Sequence, residues 1–143
     1  MNKPTRKRAM KRNKKIINHI LKLYGINAAG IRCKTESFSE VLSMLKPNIW
    51  MVEETKLKPN EDIKCEALKD FQVFYLSRQK SQGGGLALGV NKQLESTLIN
   101  EGDDDTEVMS VLVVVGDIQI RIILGYGVQE NGPKGRRINL GNI

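Results

Sequence analysis

Side chains that bind zinc or form disulfides are scarce in this sequence. Its 143 residues include a single histidine, His19, and two cysteines, Cys33 and Cys65, which lie far apart in the chain. A structural zinc site needs four such ligands at short spacings, so the sequence argues against one. Two isolated thiols also fail to make the disulfide framework of a small secreted domain, and we expect an intracellular, reducing compartment.

Long apolar runs are lacking as well. The longest aliphatic stretches, such as residues 111–115, have the length of a strand. A segment that crosses a bilayer needs ~20 apolar residues. The N-terminus carries the positive charge of a secretory signal, but no apolar segment of adequate length follows it. The sequence therefore predicts a soluble protein with no membrane partner.

Acidic residues are absent from residues 1–15, which instead hold eight lysines and arginines. The formal net charge of the whole chain is +7, so residues 16–143 together carry −1. A basic leader of this kind attracts phosphate backbones without reading sequence, and it also resembles a nuclear localisation signal. A solvated leader with no dedicated partner explains the same composition equally well. We predict a disordered leader at 1–15, consistent with a nuclear location.

The remaining chain is apolar enough for one modest domain, at 40% hydrophobic residues overall. A first strand is predicted around residues 21–23, although residues 16–23 also fit a helix, and it ends at a glycine-containing loop at 25–30. The continuous apolar run at 49–52 predicts a strand covered on both faces. Further strands are predicted at 71–76, 86–90, 108–115 and 118–124.

One helix is predicted between the first two strands. It starts at Ser37, which is spaced to form a capping box with Glu40, and it stops before Pro47. Its apolar face comprises Phe38, Val41, Leu42 and Leu45. The last two strands are joined by Gly116 and Asp117, which suit a type II′ hairpin. This order of elements indicates a mixed α/β architecture.

Two glutamates, Glu53 and Glu54, directly follow the predicted buried strand. Side chains alternate along a strand, so one carboxylate is expected to face solvent and the other a crevice at the strand's carboxyl end, where α/β sheets place ligands. By itself, the pair is better explained by a strand that meets water. Asn27, beside glycines, is by itself an ordinary turn residue.

Taken in order, these segments resemble the opening of the endonuclease/exonuclease/phosphatase family, which includes abasic-site endonucleases and endonuclease domains of retrotransposon proteins. The family pattern is an Asn-x-x-Gly loop, a helix, and a strand reading P-D-I-hydrophobics-Q-E-T-K. Residues 27–30 read Asn-Ala-Ala-Gly, and residues 48–56 read Asn-Ile-Trp-Met-Val-Glu-Glu-Thr-Lys. Glu54, Thr55 and Lys56 match directly, whereas Glu53 replaces the glutamine.

Two later segments agree with the resemblance. Residues 83–90, Gly-Gly-Gly-Leu-Ala-Leu-Gly-Val, are similar to the family's glycine-glycine strand. Residues 122–130 are similar to its N-x-Y-x-P strand end in a form found in mobile-element endonucleases, with Val128 in place of the proline. We therefore predict a partial domain at 16–131 and a flexible tail at 132–143.

The resemblance implies the N-terminal half of a four-layered α/β sandwich with mixed, largely antiparallel β-sheets. It implies a Mg²⁺ site, with Mn²⁺ as an alternative, in which Glu54 is the principal ligand and the amide oxygen of Asn27 lies beside it. Ala29 stands where family members often carry an acid. Tyr126 would orient the scissile phosphate, and Gln129 and Lys56 would contact a substrate, expected to be DNA. No small-molecule cofactor is implied.

The family's later motifs, an Asp/Asn pair and a Ser-Asp-His sequence, have no counterpart after Asn131, and no histidine follows His19. We therefore expect a truncated domain from a mobile-element reverse transcriptase/endonuclease that is inactive alone. The alternative is a nonenzymatic nucleic-acid-binding protein that acts through its basic leader. A third hypothesis is a subunit whose site is completed in trans by another polypeptide.

Overall fold

The computed structural model describes residues 21–78, 83–100 and 107–126, and of Tyr126 it describes the backbone alone. The basic leader at 1–15, the tail at 132–143, His19 and Gln129 lie outside the described residues. Within them, seven strands and one α-helix follow one another as β1 (Leu23–Asn27), α1 (Thr35–Leu45), β2 (Ile49–Glu53), β3 (Phe71–Leu76), β4 (Leu86–Asn91), β5 (Glu95–Asn100), β6 (Glu107–Val115) and β7 (Ile118–Tyr126).

The strands form two sheets. The first has the order β1-β2-β4-β3, in which β1 and β2 are parallel and the other neighbours are antiparallel. The second is an antiparallel meander, β5-β6-β7. Its β6–β7 hairpin turns at Gly116, whose φ of 63° is the positive value that a type II′ turn needs at its first central position. The predicted α/β class with mixed and antiparallel sheets is confirmed.

The core has two parts because the first sheet is covered on both faces. The alternate residues Ile49 and Met51 of β2 pack towards the second sheet, whereas Trp50 and Val52 pack towards α1. Burying a side chain of this size contributes about 1.5–3 kcal/mol. The prediction that this apolar run forms a strand covered on both faces is therefore confirmed, and Glu53 and Glu54 lie at the end of this largely buried strand.

The start of the helix differs from the prediction. It begins at Thr35, after a 3₁₀ turn at Arg32–Lys34, and no side chain caps it. The capping box at Ser37 is therefore wrong, because the 3₁₀ turn leads directly into the helix and the cap position falls on Lys34. The predicted end is correct, since Lys46 adopts a left-handed φ of 47° just before Pro47.

The first strand also extends further than predicted. The loop expected at 25–30 is wrong for Gly25, Ile26 and Asn27, which pair in register with Met51, Val52 and Glu53. Pairing with a buried strand outweighs the weak strand preference of glycine and asparagine. Strand β5 was not predicted, because its sequence ESTLIN is polar and mostly exposed.

Two remaining observations concern the thiols and the helix. Both cysteines are free thiols. No helix in the described ranges has the length and apolar character needed to cross a membrane.

Candidate active site

The parallel pairing of β1 with β2 brings two of the motif segments to the same end of the first sheet. Asn27 is the register partner of Glu53. Hydrogen bonds continue beyond the strands, where Gly30 N donates to Glu54 O at 2.8 Å and Ile31 N donates to Thr55 O at 3.1 Å. Because these bonds are between backbones, they fix the two segments relative to each other whatever the side chains do.

Asn27 presents an oxygen at this end of the sheet. Its side chain is exposed, and its Oδ1 accepts a hydrogen bond from the backbone N–H of Ala29 at 3.1 Å. This turn fixes the amide, which explains an asparagine at the end of a strand. A carbonyl oxygen has two lone pairs, so Oδ1 keeps a second direction for a cation.

The segment after β2 is bent sharply. Glu54 and Lys56 adopt left-handed φ values of 51° and 54° on either side of the buried Thr55. Such conformations in residues other than glycine cost free energy and cluster at functional sites. Because Glu54 leaves the extended conformation, strand alternation does not apply to it. Glu53 and Glu54 are both half-buried, so the expected contrast between a solvent-facing and an enclosed carboxylate is not found.

Two glycines hold this bent segment in place. Thr55 N donates to Gly85 O at 3.1 Å, and Lys56 N donates to Gly84 O at 2.7 Å. A Cβ at Gly85 would lie 2.4 Å from Thr55 Oγ1, and Gly85 has a φ of +90°. The positive φ and the close approach of Thr55 explain why a side chain is not tolerated in this glycine turn, which comprises Gly83, Gly84 and Gly85.

An ion pair that was not predicted from the sequence lies behind these glycines. Glu107, the first residue of β6, pairs with Arg78, and its two carboxylate oxygens lie 3.4 and 3.3 Å from Gly85 N. Both side chains are largely buried, at 13% exposed for Glu107 and 23% for Arg78. The sequence did contain one signal for Glu107. It is an acidic residue on the same face of an apolar strand as Met109 and Val111, which are buried.

The other predicted residues occupy different positions. Tyr126 ends β7 and is the register partner of Glu107, so its backbone reaches the edge where Glu107 approaches Gly85. Lys56 is exposed, and its aliphatic chain passes over Gly30. Gln129 falls outside the described residues. Asn27, Glu54 and Lys56 therefore meet at one end of the sheet, with the backbone of Tyr126 joined to that end through Glu107 and Gly85.

Solved structures share this arrangement of strands. A 3′ phosphatase, NExo, from Neisseria bound to product DNA hairpin gives a TM-score of 0.54 at 20% identity over 77% of this chain and 42% of that one. An AP endonuclease from Archaeoglobus fulgidus gives 0.52 at 20% identity over the same shares. TDP2 from C. elegans gives 0.55 at 11% identity over 90% of this chain and 44% of that one.

This chain has the endonuclease/exonuclease/phosphatase fold. It spans less than half the length of each of these solved proteins. No protein-family model matches the sequence, and no curated protein does. The likeness therefore lies in the three-dimensional arrangement of the strands rather than in close sequence identity.

The donor set at this end of the endonuclease/exonuclease/phosphatase fold suits a hard cation. Asn27 offers an amide oxygen, and Glu54 offers a carboxylate. Mg²⁺ commonly uses one or two carboxylates and keeps several waters. Within residues 21–78, 83–100 and 107–126 there is no cluster of three histidine, cysteine or acidic side chains. The described residues thus fit a Mg²⁺ ion that is largely hydrated, and they do not fit one enclosed by protein ligands.

A second ion pair joins the segments that follow β1 and β2. Arg32 Nε donates to Glu61 Oε2 at 2.7 Å, and Lys58 N donates to Glu61 Oε1 at 3.0 Å. The Arg32 hydrogen bond, followed by the Lys58 backbone bond, lowers the pKa of Glu61 to about 2 from its ordinary value of 4.5. Glu61 therefore stabilises the fold fully at pH values above its unfolded pKa of 4.5, and this contribution is lost as the pH falls towards 2.

We predict that Glu61→Gln lowers stability near neutral pH, and that its difference from the wild type shrinks as the pH falls from about 5 to about 2. The effect should be small, since the pair is partly exposed to solvent. Urea midpoints at a series of pH values measure it. Glu66→Gln, which removes the exposed pair with Lys69, is the control and should show a smaller pH-dependent difference. A constant difference between wild type and Glu61→Gln at all pH values would contradict the prediction.

Proposed function

We propose that this chain supplies the metal-binding part of a magnesium-dependent phosphodiesterase of the endonuclease type, which acts on DNA and derives from a mobile element. The observation that supports it most directly is the parallel β1–β2 pair, because it delivers Asn27 and the Glu53–Glu54 pair to one sheet end. The fold is shared with an AP endonuclease and with a 3′ phosphatase whose structure holds a DNA hairpin.

In this proposal Glu54 and Asn27 hold Mg²⁺, or Mn²⁺, through their side-chain oxygens. A bound ion would neutralise charge on the scissile phosphate and on the leaving oxygen. Tyr126 orients that phosphate, while Lys56 and Gln129 contact the nucleic acid. The bent backbone of residues 54–56 fixes the direction in which the Glu54 side chain leaves the main chain before the substrate arrives.

We expect the 143 residues alone to show little or no catalytic turnover. A positioned acid or base contributes about 10²–10⁴-fold to a rate. The residues after Asn131 contain no histidine and nothing similar to the Ser-Asp-His motif. Binding of metal and DNA without cleavage is therefore the expected behaviour of the isolated chain.

Cleavage assays test this proposal. The isolated chain is incubated with Mg²⁺ and either supercoiled plasmid or a duplex that contains one abasic site, beside the Glu54→Gln variant. We expect no nicking above background from either. If the wild type nicks DNA and Glu54→Gln abolishes this activity, the expected inactivity is wrong but the role of Glu54 in the active site is supported. Equal nicking by both proteins would contradict the role of Glu54.

The basic leader gives a separate prediction for DNA binding. Deleting residues 1–15 removes eight positive charges, and the slope of log K against log salt should flatten by about 0.9 for every phosphate that is no longer neutralised. We expect weaker binding to duplex DNA and a shallower salt dependence, measured by fluorescence anisotropy at several salt concentrations. A leader with the same residues in scrambled order should restore both. Binding unchanged by the deletion would contradict the prediction.

We also propose that the leader directs the protein to the nucleus. Fluorescent fusions of the protein with and without residues 1–15 test this proposal by their location in the cell.

A further inference from the structure

The Arg78–Glu107 pair is connected to the candidate metal site through the backbone of Gly84 and Gly85. It lies between the two sheets, since Arg78 follows β3 of the first sheet and Glu107 begins β6 of the second. The carboxylate of Glu107 also accepts the N–H of Gly85, at 3.3 Å for the nearer oxygen. Hydrogen bonds to an ionised acceptor are stronger than those to a neutral one.

The glycine turn is shaped around this pair. A Cβ at Gly84 would lie 2.3 Å from Arg78 Nε and 2.4 Å from Glu107 Oε1. Gly84 also has a φ of +60°, a conformation that residues with a side chain rarely adopt. The ion pair and the backbone of Gly84–Gly85 are therefore packed against each other with no room for movement in that direction.

The same two glycines support the metal segment from their opposite side. The carbonyl of Gly85 accepts Thr55 N–H and the carbonyl of Gly84 accepts Lys56 N–H. These bonds hold a stretch in which Glu54 and Lys56 both have left-handed φ values. Such conformations persist only where the surroundings impose them. A continuous path of contacts thus runs from Glu107 through Gly85 and Thr55 to Glu54.

We propose that Glu107 is a positioning residue, which holds the Gly84–Gly85 turn and through it the bent Glu54–Lys56 segment in the conformation that binds the cation. The inference rests on the proposed function, because it assumes that Glu54 is a metal ligand. Glu107 has no direct role as a ligand in this account. Its effect on the metal passes through two backbone hydrogen bonds, as outer partners of metal ligands commonly act.

The test measures metal affinity and local hydrogen exchange in the full chain. In Glu107→Gln we expect Mn²⁺ affinity, measured from the EPR signal of the free ion, to fall about 10–100-fold. We also expect faster amide exchange at Thr55 and Lys56, whose N–H groups donate to the two glycines. Amides of the β1–β2 ladder should keep their protection, whereas a merely structural role would raise exchange throughout the fold.

Two further variants separate the outcomes. The double variant Arg78→Gln with Glu107→Gln removes both charges of this ion pair, so it keeps the test valid if the single variant unfolds. Glu66→Gln, which loses an exposed pair elsewhere, should bind Mn²⁺ like the wild type. If Glu54→Gln lowers Mn²⁺ affinity but both Glu107 variants leave it and the Thr55 exchange rate unchanged, the positioning role is wrong. If Glu54→Gln itself binds Mn²⁺ like the wild type, the proposed function is wrong and the positioning role falls with it.

Discussion

Glu54→Gln is expected to weaken Mn²⁺ and Mg²⁺ binding by at least about 100-fold, because outer partners of a ligand alone are worth about 10–100-fold. The exchange of one oxygen for an NH₂ group removes the negative charge that attracts the cation and changes almost nothing in volume. Isothermal titration with Mg²⁺ and EPR with Mn²⁺ measure the loss. Circular dichroism should report unchanged strand content, since the backbone bonds that hold residues 54–56 do not involve this side chain.

The adjacent glutamate offers a matched control. Glu53 is half-buried like Glu54, carries the same charge and differs by one position in the chain. Glutamine stands at this position in the pattern that the sequence resembles, so Glu53→Gln should keep most of the affinity. An equal loss in the two variants would indicate nonspecific attraction by a pair of negative charges. A loss confined to Glu53→Gln would reassign the ligand and contradict the proposed site.

The strands that were predicted best are those with a strong local pattern. The run at 49–52 is apolar and short, and the β6–β7 hairpin has a glycine, Gly116, at the turn position that needs a positive φ. Both signals are encoded within a few residues of the element. Strand β5 has no such signal, because its position depends on pairing with β6 rather than on its own polar sequence.

The candidate site was predicted only in part for a related reason. Asn27 and Glu54 were found because their motifs follow one another in a recognisable order. Their proximity depends on the parallel β1–β2 register, and periodicity does not specify a register between strands that are joined through a helix. Glu107 was missed because its partner Arg78 lies 29 positions away, so no local pattern connects them. The left-handed conformation of Glu54 likewise depends on hydrogen bonds that Thr55 N and Lys56 N donate to a distant glycine turn.

Gly89, in the middle of β4, is likewise needed because of a residue that is distant in the sequence. A Cβ there would lie 2.2 Å from Trp50 Cε2 and 2.3 Å from its Nε1, inside the indole ring of the register partner. Trp50 is completely buried and packs edge-on against Phe38 and Phe71, with ring centroids 5.1 and 6.1 Å away. The indole is therefore closely packed on the sides facing Phe38, Phe71 and Gly89. Glycine is needed at position 89 because a larger residue would overlap this ring, and not because the backbone there has a positive φ.

We predict that Gly89→Ala destabilises the protein by about 3 kcal/mol, at the upper end of the usual cost of overpacking. That is a large share of the about 5–15 kcal/mol of a typical domain. Urea denaturation followed by tryptophan fluorescence or circular dichroism measures the change. Gly25→Ala, in β1 of the same sheet, is the matched control. Its Cβ would meet Met51 Cε at an ordinary 3.6 Å, so its effect should stay within about 1 kcal/mol of zero.

The double variant Trp50→Leu with Gly89→Ala identifies the cause. Trp50→Leu alone should be costly, since it leaves a cavity between α1 and the sheet. Adding Gly89→Ala to it should then cost much less than about 3 kcal/mol, because the ring that opposes the new methyl group is gone. An unchanged cost in that background would show that the glycine is needed for some reason other than the indole. Tolerance of Gly89→Ala equal to that of Gly25→Ala would contradict the packing of Trp50 on which the buried face of β2, and with it the position of Glu54, depends.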